Sequence, residues 1–388
     1  MPNVHSRQSG GAMFSRRLKN LSPYVPGEQL TDRDYIKLNA NENPYPPCPE
    51  VLNDAASFLR EHGERTVLYP DPESIGLRRA IASMLNESGG VLNKTQSLPF
   101  TLTEDMIFCG NGSDEVLSFI FYAFFDSDKS VFAPEYTYSF YPVYAGYYGI
   151  PLQRFALEDD WSIDADAVLA LFERPCGGFI CANPNAPTGI ALSIEQIEKI
   201  LRASDGRFAV VIDEAYADFS EATALPLLQI YKNLIIVRTF SKSFAFAGMR
   251  LGFCVAHPEA IEALKKTKNS FNHFPVDALT QCAASSVCKN WRYYAGTCSR
   301  ICSERDAFSR ILQKAGWTVL PSQTNFVMVK KGTLEGKAQL SGAQVYEALK
   351  KQGFLVRHFA GKATDDFVRI TIGMEEHMRS LAAVMTNL

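Results

Sequence analysis

Residues 239–250 of the chain read TFSKSFAFAGMR and directly follow a strand-like stretch. Lys242 has small and apolar neighbours and a hydroxyl on each side, and the cation Arg250 follows eight residues later. A lone lysine is usually a solvated surface charge. This setting instead favours a partly desolvated amine of lowered pKa, which a nucleophilic lysine needs. Thr239, Ser241 and Arg250 could hold a phosphate group beside the amine.

A second stretch, FAVVIDEAY at residues 208–216, is an apolar, β-branched strand that ends in the carboxylate of Asp213. Alone, this aspartate could equally be the N-cap of a helix. Together with Lys242 it fits pyridoxal phosphate (PLP), whose pyridine nitrogen must stay protonated if the cofactor is to act as an electron sink. Tyr216 could then donate a hydrogen bond to the phenolic oxygen of PLP and lower the pKa of its imine with Lys242.

Two loops that follow predicted strands extend this pattern. Residues 108–115 read FCGNGSDE, so the amides of Gly112, Ser113 and Asp114 lie at the N-terminus of a predicted helix. Free amides and the helix dipole bind phosphate at such a terminus, although the spacing is not that of a dinucleotide fingerprint. Residues 183–189 read NPNAPTG, which could form only a turn or could present an asparagine to the phenolic oxygen.

Taken together, these motifs resemble the histidinol-phosphate aminotransferases, a family of fold-type I, class II-like PLP-dependent aminotransferases. The matching motifs are LNANENPY, YPDP, GNGSDE, DEAY and two C-terminal arginine motifs, at residues 38–45, 69–72, 110–115, 213–216, 353–357 and 368–373. The resemblance covers the chain from about residue 21 to its end. It implies transamination of histidinol phosphate, with glutamate and 2-oxoglutarate as the other pair, in histidine biosynthesis.

The resemblance also implies roles for single residues of the cofactor site. Lys242 would be the Schiff-base lysine and general base, Asp213 would pair with the pyridinium, and Tyr216 would bond the phenolic oxygen. Tyr136 would stack on the pyridine ring. The residues expected around the cofactor phosphate are Gly112, Ser113, Asp114, Thr239, Ser241 and Arg250.

One departure from the family and one implication for assembly follow. The asparagine that the family carries directly before Pro-Thr-Gly is replaced by Ala186, which leaves Asn185 as the candidate partner of the phenolic oxygen. Tyr69 would reach the cofactor phosphate of the other subunit, which implies a homodimer.

The resemblance assigns substrate binding to both ends of the chain. Arg369 would hold the phosphate of histidinol phosphate with help from Arg357 and Tyr24, and would bind the γ-carboxylate side of glutamate in the other half-reaction. Asn41, in the N-terminal motif, is also assigned to the substrate. Planar guanidinium groups suit both anions. Arg357 could instead form a surface salt bridge.

Strand-like and helical stretches alternate, which predicts an α/β large domain with a mainly parallel sheet and a cofactor site at its strand ends. The seven candidate strands are 106–110, 130–133, 151–155, 178–182, 208–213, 233–238 and 252–256. Strands 325–329, 354–357 and 367–372 with helices 343–351 and 375–386 predict a small α+β domain. We expect a disordered leader (1–20), an N-terminal arm that contributes to the small domain (21–70), a large PLP-binding domain (71–272) and a small C-terminal domain (273–388).

The composition limits the other function classes. A chain of 388 residues with 46% hydrophobic content can bury a large core. The net charge of −3 gives no reason to expect a nucleic-acid partner or a membrane partner, and no apolar stretch is long enough to span a bilayer. Nine cysteines without paired CxxC spacing indicate reduced thiols and a cytoplasmic protein. No metal site is expected.

Three alternatives to histidinol-phosphate transamination remain at this stage. The same scaffold could transaminate aromatic amino acids or decarboxylate a phosphorylated amino acid. A more distant alternative is a PLP-fold regulator without catalysis. That regulator is disfavoured, because the sequence before residue 30 shows neither a helix-turn-helix segment nor a basic extension.

Overall fold

The computed structural model describes residues 13–15, 17–18, 21–24, 27–28, 30, 32–92, 97–332 and 340–388. The predicted leader, residues 1–20, lies mostly outside the described residues. The strands in the described ranges are β1 (Ile36–Lys37), β2 (Ile107–Asn111), β3 (Ser130–Pro134), β4 (Leu152–Phe155), β5 (Cys176–Ala182), β6 (Ala209–Asp213), β7 (Leu234–Thr239), β8 (Leu251–Ala256), β9 (Trp317–Val319), β10 (Phe326–Lys331), β11 (Phe354–Leu355), β12 (Arg357–His358) and β13 (Val368–Thr371).

The α-helices connect these strands and cover the faces of the sheets. They are α1 (Pro49–His62), α2 (Ile75–Ser88), α3 (Gly112–Phe124), α4 (Tyr141–Tyr148), α5 (Ala165–Leu171), α6 (Ile194–Ser204), α7 (Pro258–Asn269), α8 (Ala278–Lys289), α9 (Trp291–Lys314), α10 (Gly342–Lys351) and α11 (Glu375–Thr386). Within the described residues, no helix combines the length and the apolar character that a membrane crossing requires.

The central sheet contains strands β2 to β8 in the spatial order β2-β8-β7-β6-β5-β3-β4. Strand β8 runs antiparallel to β2 and β7, whereas β3 to β7 pair in parallel. Its direction differs because a loop with only a short 3-10 turn (Ala247–Met249) joins β7 to β8, without a helical crossover. The predicted α/β fold with a mainly parallel seven-stranded sheet is confirmed, and each predicted strand lies within two residues of an observed one.

Buried apolar residues explain why these segments form strands and helices. Strands β7 and β8 are buried along their whole length, as expected for a sheet that is covered on both faces. Helix α6 begins with a capping box between Ser193 and Gln196, and its buried residues Ile197, Ile200 and Leu201 recur at helical spacing. The core therefore lies on both sides of the central sheet and leaves its strand ends accessible.

A second sheet of four strands has the order β12-β13-β10-β9, and β1 pairs in parallel with β11. The single strand predicted at 354–357 is wrong in detail. Strand β11 pairs with β1, while β12 pairs with β13, so Val356 lies between two short strands of different sheets. The pairing of β1 with β11 joins the N-terminal arm to the C-terminal part of the chain.

Candidate active site

A cavity of about 380 Å³ lies where the central strands end, and we call it the inner cavity. The segments after β6 and β7, the start of α3 and the residue before β8 form its wall. This geometry is expected because ligands bind at the carboxyl ends of parallel strands. The structure thereby brings together eight of the residues predicted to bind the cofactor: Ser113, Asp114, Asp213, Tyr216, Thr239, Ser241, Lys242 and Arg250.

Lys242 lies in the loop that leaves β7 and points toward the N-terminal arm. Its Nζ atom donates a hydrogen bond to the carbonyl oxygen of Ala40 at 3.1 Å. The same atom lies 5.9 Å from the centroid of the Tyr216 ring. The amine therefore lies at the junction of the sheet, the arm and the cavity.

Asp213 ends strand β6, and only 4% of it is exposed. Its carboxylate accepts a hydrogen bond from the Tyr141 hydroxyl at 2.9 Å and one from the backbone N–H of Ala215 at 3.2 Å. Burial raises the pKa of Asp213 to about 6, although these hydrogen bonds lower it. A buried carboxylate of this kind gains strongly from a cationic partner. No sequence pattern pointed to Tyr141, because its hydroxyl reaches Asp213 only through the packing of α4 on the sheet.

The start of α3 and the end of the Lys242 loop form one end of the inner cavity. Gly112 has a φ of 78°, and a Cβ there would lie 2.5 Å from Nη2 of Arg250. A Cβ on Gly252 would lie 2.1 Å from the backbone nitrogen of Ser113. Only glycine permits this close approach of β8 to the helix N-terminus. The free amides of α3 and the guanidinium of Arg250 therefore lie beside one another, as a phosphate site requires.

Asp114 organises two neighbours in the cavity. Its carboxylate accepts a hydrogen bond from the Tyr138 hydroxyl at 2.7 Å and forms an ion pair with Arg250 at 3.3 Å. Tyr138 lines both the inner cavity and a neighbouring cavity, whereas Tyr136 lines the neighbouring cavity alone and packs edge-on against Trp161 at 5.4 Å. The structure therefore places Tyr138, and not the expected Tyr136, on the same cavity wall as Asp213 and Lys242. The run of alternating tyrosines contained both candidates, and their side-chain directions distinguish them.

Asn185 does not face the inner cavity with a free amide. Its Oδ1 accepts a hydrogen bond from Thr137, and its Nδ2 donates to the carbonyl oxygen of Tyr136 and to the hydroxyl of Thr188. The side chain on the cavity wall at this point is the methyl group of Ala186. The role expected for Asn185 at the phenolic oxygen therefore has no support in the geometry.

A buried ionic network contacts the Lys242 loop through Ser243. Arg238 pairs with Glu214 at 2.8 Å and with Asp218 at 3.3 Å. The hydroxyl of Ser243, next to Lys242 in the chain, donates to the other oxygen of Asp218 at 2.5 Å. Removing one partner of a buried ion pair costs about 3–5 kcal/mol. Sequence reasoning missed this network, because its charges resemble ordinary strand-end polar residues.

A larger cavity of about 700 Å³ adjoins the inner one, and we call it the outer cavity. Lys242 and Tyr216 line both cavities. The cationic side chains on its wall are Lys37, Arg154, Lys242, Arg357, Lys362 and Arg369, and the carboxylates are Glu28 and Glu135. Glu28 is bonded to Lys350 and Tyr346, which lowers its pKa. This balance of charge favours an anionic ligand.

The two arginines of the outer cavity lie opposite one another on paired strands. Arg357 in β12 is the register partner of Arg369 in β13, and both guanidinium groups lie over the ring of Phe359, at 5.5 Å and 5.2 Å. Burial, with a smaller contribution from the nearby Arg357, lowers the pKa of Arg369. Nη2 of Arg369 donates to the carbonyl oxygen of Asn39, while its buried Nε has no protein partner. An unpaired buried donor of this kind fits an anion.

The remaining predicted substrate residues differ in their placement. Tyr24 lines the outer cavity and packs against Phe140 at 5.2 Å. Asn41 also borders this cavity, but its side-chain amide is bonded to Tyr216 and Thr371. The ring of Phe359 packs against both Arg357 and Arg369. Sequence reasoning missed Phe359, because it belongs to none of the recognised motifs.

Tyr69 lies on the surface, away from the walls of both cavities. It is 82% exposed and stacks on Phe274 at 4.5 Å. Within one chain it is therefore not brought to the cofactor residues. Elsewhere in the described part of the chain, no group of three or more histidine, cysteine, aspartate or glutamate side chains is arranged to hold a metal ion.

Comparisons with known proteins agree with this architecture. Residues 33–384 match the family described as aminotransferase class I and II. The chain is 46% identical to a histidinol-phosphate aminotransferase of Syntrophus aciditrophicus over 98% of this chain and 99% of the relative. It is 41% identical to histidinol-phosphate aminotransferase 2 of Psychrobacter arcticus over 96% and 94% of the two chains.

A solved structure shares the fold over the same length. Histidinol-phosphate aminotransferase from Sinorhizobium meliloti, in complex with pyridoxal-5'-phosphate, is 25% identical to this chain and superposes with a TM-score of 0.81 over 98% of each chain. The chain therefore belongs to the class I and II aminotransferases, and the family resemblance predicted from its motifs is confirmed.

Proposed function

We propose that the chain catalyses the PLP-dependent transamination of histidinol phosphate, with glutamate and 2-oxoglutarate as the second pair. The observation that carries the proposal is the junction of the two cavities at Lys242. The inner cavity offers an amine, a buried carboxylate and a group of hydrogen-bond donors that can bind a phosphate. The outer cavity is rich in cationic side chains. Relatives that match over nearly the full length are named histidinol-phosphate aminotransferases, which supports the first substrate of this proposal.

The donor set of the inner cavity fits PLP. When bound, PLP supplies an electron sink for the charge that develops on the reacting carbon. Lys242 would hold the cofactor through Nζ and then accept and return the proton. Asp213 would keep the ring nitrogen protonated, and Tyr138 rather than Tyr136 would stack on the ring. The phosphate would lie against Ser113, Thr239, Ser241, Arg250 and the amides that follow Gly112.

The outer cavity would bind the substrate by its anionic end. Arg357 and Arg369 would grip the phosphate of histidinol phosphate together with Tyr24. An anion there would also neutralise two like charges that share one aromatic ring. In the other half-reaction Arg369 would hold a carboxylate of glutamate. The same guanidinium group would thus serve two substrates whose shared feature is an anion.

We also propose a cytoplasmic homodimer in which Tyr69 completes the site of the partner. Val67, Leu68, Tyr69 and Phe271 are all more than half exposed in the single chain, which supports a covered surface at this place. All nine cysteines are free thiols, which supports a reducing compartment. The pairing of β1 with β11 supports a small C-terminal domain (273–388) to which the N-terminal arm (21–70) contributes, beside a large PLP-binding domain (71–272).

A half-reaction screen tests the proposed reaction. The PLP form is mixed separately with histidinol phosphate, histidinol, phenylalanine, aspartate and threonine phosphate, and conversion to the pyridoxamine form is followed by absorbance. We expect histidinol phosphate to be preferred over histidinol by roughly 10²- to 10⁴-fold, since histidinol offers no anion to the buried Nε donor of Arg369. Equal use of both, or a preference for phenylalanine, would favour the aromatic alternative. Release of carbon dioxide from threonine phosphate would favour the decarboxylase.

A further inference from the structure

Asn41 forms a fixed contact between the N-terminal arm and the hydroxyl of Tyr216. It is 1% exposed, and its Nδ2 donates to the Tyr216 hydroxyl oxygen at 2.8 Å. Its backbone N–H donates to the hydroxyl of Thr371 at 3.0 Å, and that hydroxyl donates to Oδ1 of Asn41, also at 3.0 Å. Its carbonyl oxygen accepts a hydrogen bond from Asn325. Every polar group of Asn41 thus has a partner.

These contacts orient the amide. The hydroxyl of Thr371 receives the backbone N–H of Asn41, so its own hydrogen is directed to Oδ1 and the NH₂ end faces Tyr216. The oxygen of Tyr216 therefore accepts a hydrogen bond from Asn41, and its hydrogen is left for an acceptor inside the inner cavity. Donation to a hydroxyl oxygen makes that hydroxyl a stronger donor, because hydrogen bonds in a chain polarise one another.

The other side chains near this position offer no equivalent donor. Ala186 presents a methyl group to the inner cavity, and the amide of Asn185 is bonded to Thr137, Thr188 and the carbonyl of Tyr136. Ser113, Thr239, Ser241 and Arg250 lie at the phosphate end. The hydroxyl of Tyr138, which also lines this wall, donates to Asp114. Away from the phosphate end, Tyr216 is thus the side-chain donor that the described part of the wall presents near Lys242.

We infer that Asn41 is a positioning residue that acts through Tyr216 to set the acidity of the imine between Lys242 and PLP. The inference rests on the proposed function. Thr371 and Arg369 lie two residues apart in β13 and so share one face of the strand. The relay from Thr371 through Asn41 to Tyr216 therefore links the strand that carries the substrate arginine to the electronics of the cofactor.

The test is a pH titration of the imine absorption band in the holoenzyme without substrate. Asn41 has a φ of 54°, which glycine adopts without strain, so Asn41→Gly is the primary variant. The charged and titratable groups that surround Tyr216 and Lys242 remain unchanged in it: Glu42, Asp114, Tyr138, Asp213, Arg250 and Arg369. Circular dichroism and PLP affinity check that the fold and the cofactor are retained.

We expect Tyr216→Phe to raise the imine pKa by on the order of 1–2 units, because it removes a hydrogen bond to a charged oxygen. Asn41→Gly should raise it by about 0.1–0.6 unit, since one polarising bond strengthens its neighbour by roughly 10–30%. In a Tyr216→Phe background, Asn41→Gly should have no further effect. Thr371→Val should also raise the imine pKa. Thr371→Ser, which keeps the hydroxyl, should leave the imine pKa at the wild-type value.

Three results would overturn the inference. The imine pKa of Asn41→Gly could equal that of the wild type or fall below it. The same shift could persist in the Tyr216→Phe background, which would show that Asn41 acts by another route. A wild-type protein with no titrating imine band would overturn the proposed function as well, whereas a titrating band that is insensitive to Asn41 would overturn this inference alone.

Discussion

Asp213→Asn should stabilise the cofactor-free protein while it damages the holoenzyme. The carboxyl group is buried, and its pKa rises from an ordinary 3.8 to about 6. A difference of about two units corresponds to about 3 kcal/mol, since each unit is 1.36 kcal/mol. Above pH 7 the wild-type protein therefore carries a buried charge that costs up to about 3 kcal/mol, and asparagine does not carry it.

The sign of the pH dependence follows from the same values. A folded-state pKa above the unfolded one means that the folded protein binds the proton more tightly. The stability advantage of the protonated carboxyl is therefore complete below about pH 4 and is lost as the pH rises through 6. The difference in unfolding free energy between Asp213→Asn and wild type should grow from near its baseline at pH 4, through about half its range at pH 5, to its full value above pH 7.

The assay is denaturant unfolding of both cofactor-free proteins at fixed protein concentration, from pH 4 to pH 8. Tyr141→Phe is the matched control, because it removes a hydrogen bond that lowers the pKa of Asp213 and should move the transition to higher pH. A stability difference that does not change with pH would refute the argument. In the holoenzyme, Asp213→Asn should lower turnover on the order of 10²-fold or more, as expected when a charged partner is removed from a dry site.

The other predictions concern the amine, the assembly and the anion site. Lys242→Ala should abolish transamination and leave the fold intact, and borohydride reduction of the wild type should label Lys242; a label on another lysine would contradict its role. Mixing Lys242→Ala with Tyr69→Phe chains should produce hybrid dimers with one intact and one doubly defective site, about a quarter of all sites being intact at equal mixing; an active monomer in sedimentation would rule out the shared site. Arg357→Ala should weaken histidinol phosphate more than glutamate in steady-state kinetics, whereas Arg369→Ala should impair both half-reactions; equal losses for the two variants on both substrates would contradict these separate roles.

The fold could be read from the sequence because its elements are local. Most central strands are short, largely apolar runs that are buried along most of their length, whereas the edge strand β4 is half-buried and contains polar residues. Each central strand lies within two residues of its predicted position. The short strands were harder to predict. Strands β9, β11 and β12 have two or three residues each, and such lengths are stabilised by their partners rather than by their own pattern.

The site was predictable to the extent that its residues follow strands directly. Lys242, Asp213 and Ser113 lie where the chain leaves β7, β6 and β2 at the same edge of the central sheet, so their positions at strand ends imply proximity in space. The direction of a loop side chain follows from its partners instead. Tyr138 faces the inner cavity because Asp114 accepts its hydroxyl. Asn185 turns away because three loop groups bond its amide.

By itself the sequence determined the family, the order of the strands along the chain and the residues that can carry imine, pyridinium and phosphate chemistry. Tertiary structure alone decided which distant groups meet: Asn41 and Tyr216, which are 175 residues apart, and Arg357 and Arg369 across two antiparallel strands. The physical reason is range. Hydrophobic periodicity and strand-end motifs act over a few residues, whereas a buried hydrogen bond depends on how the arm and both sheets pack together.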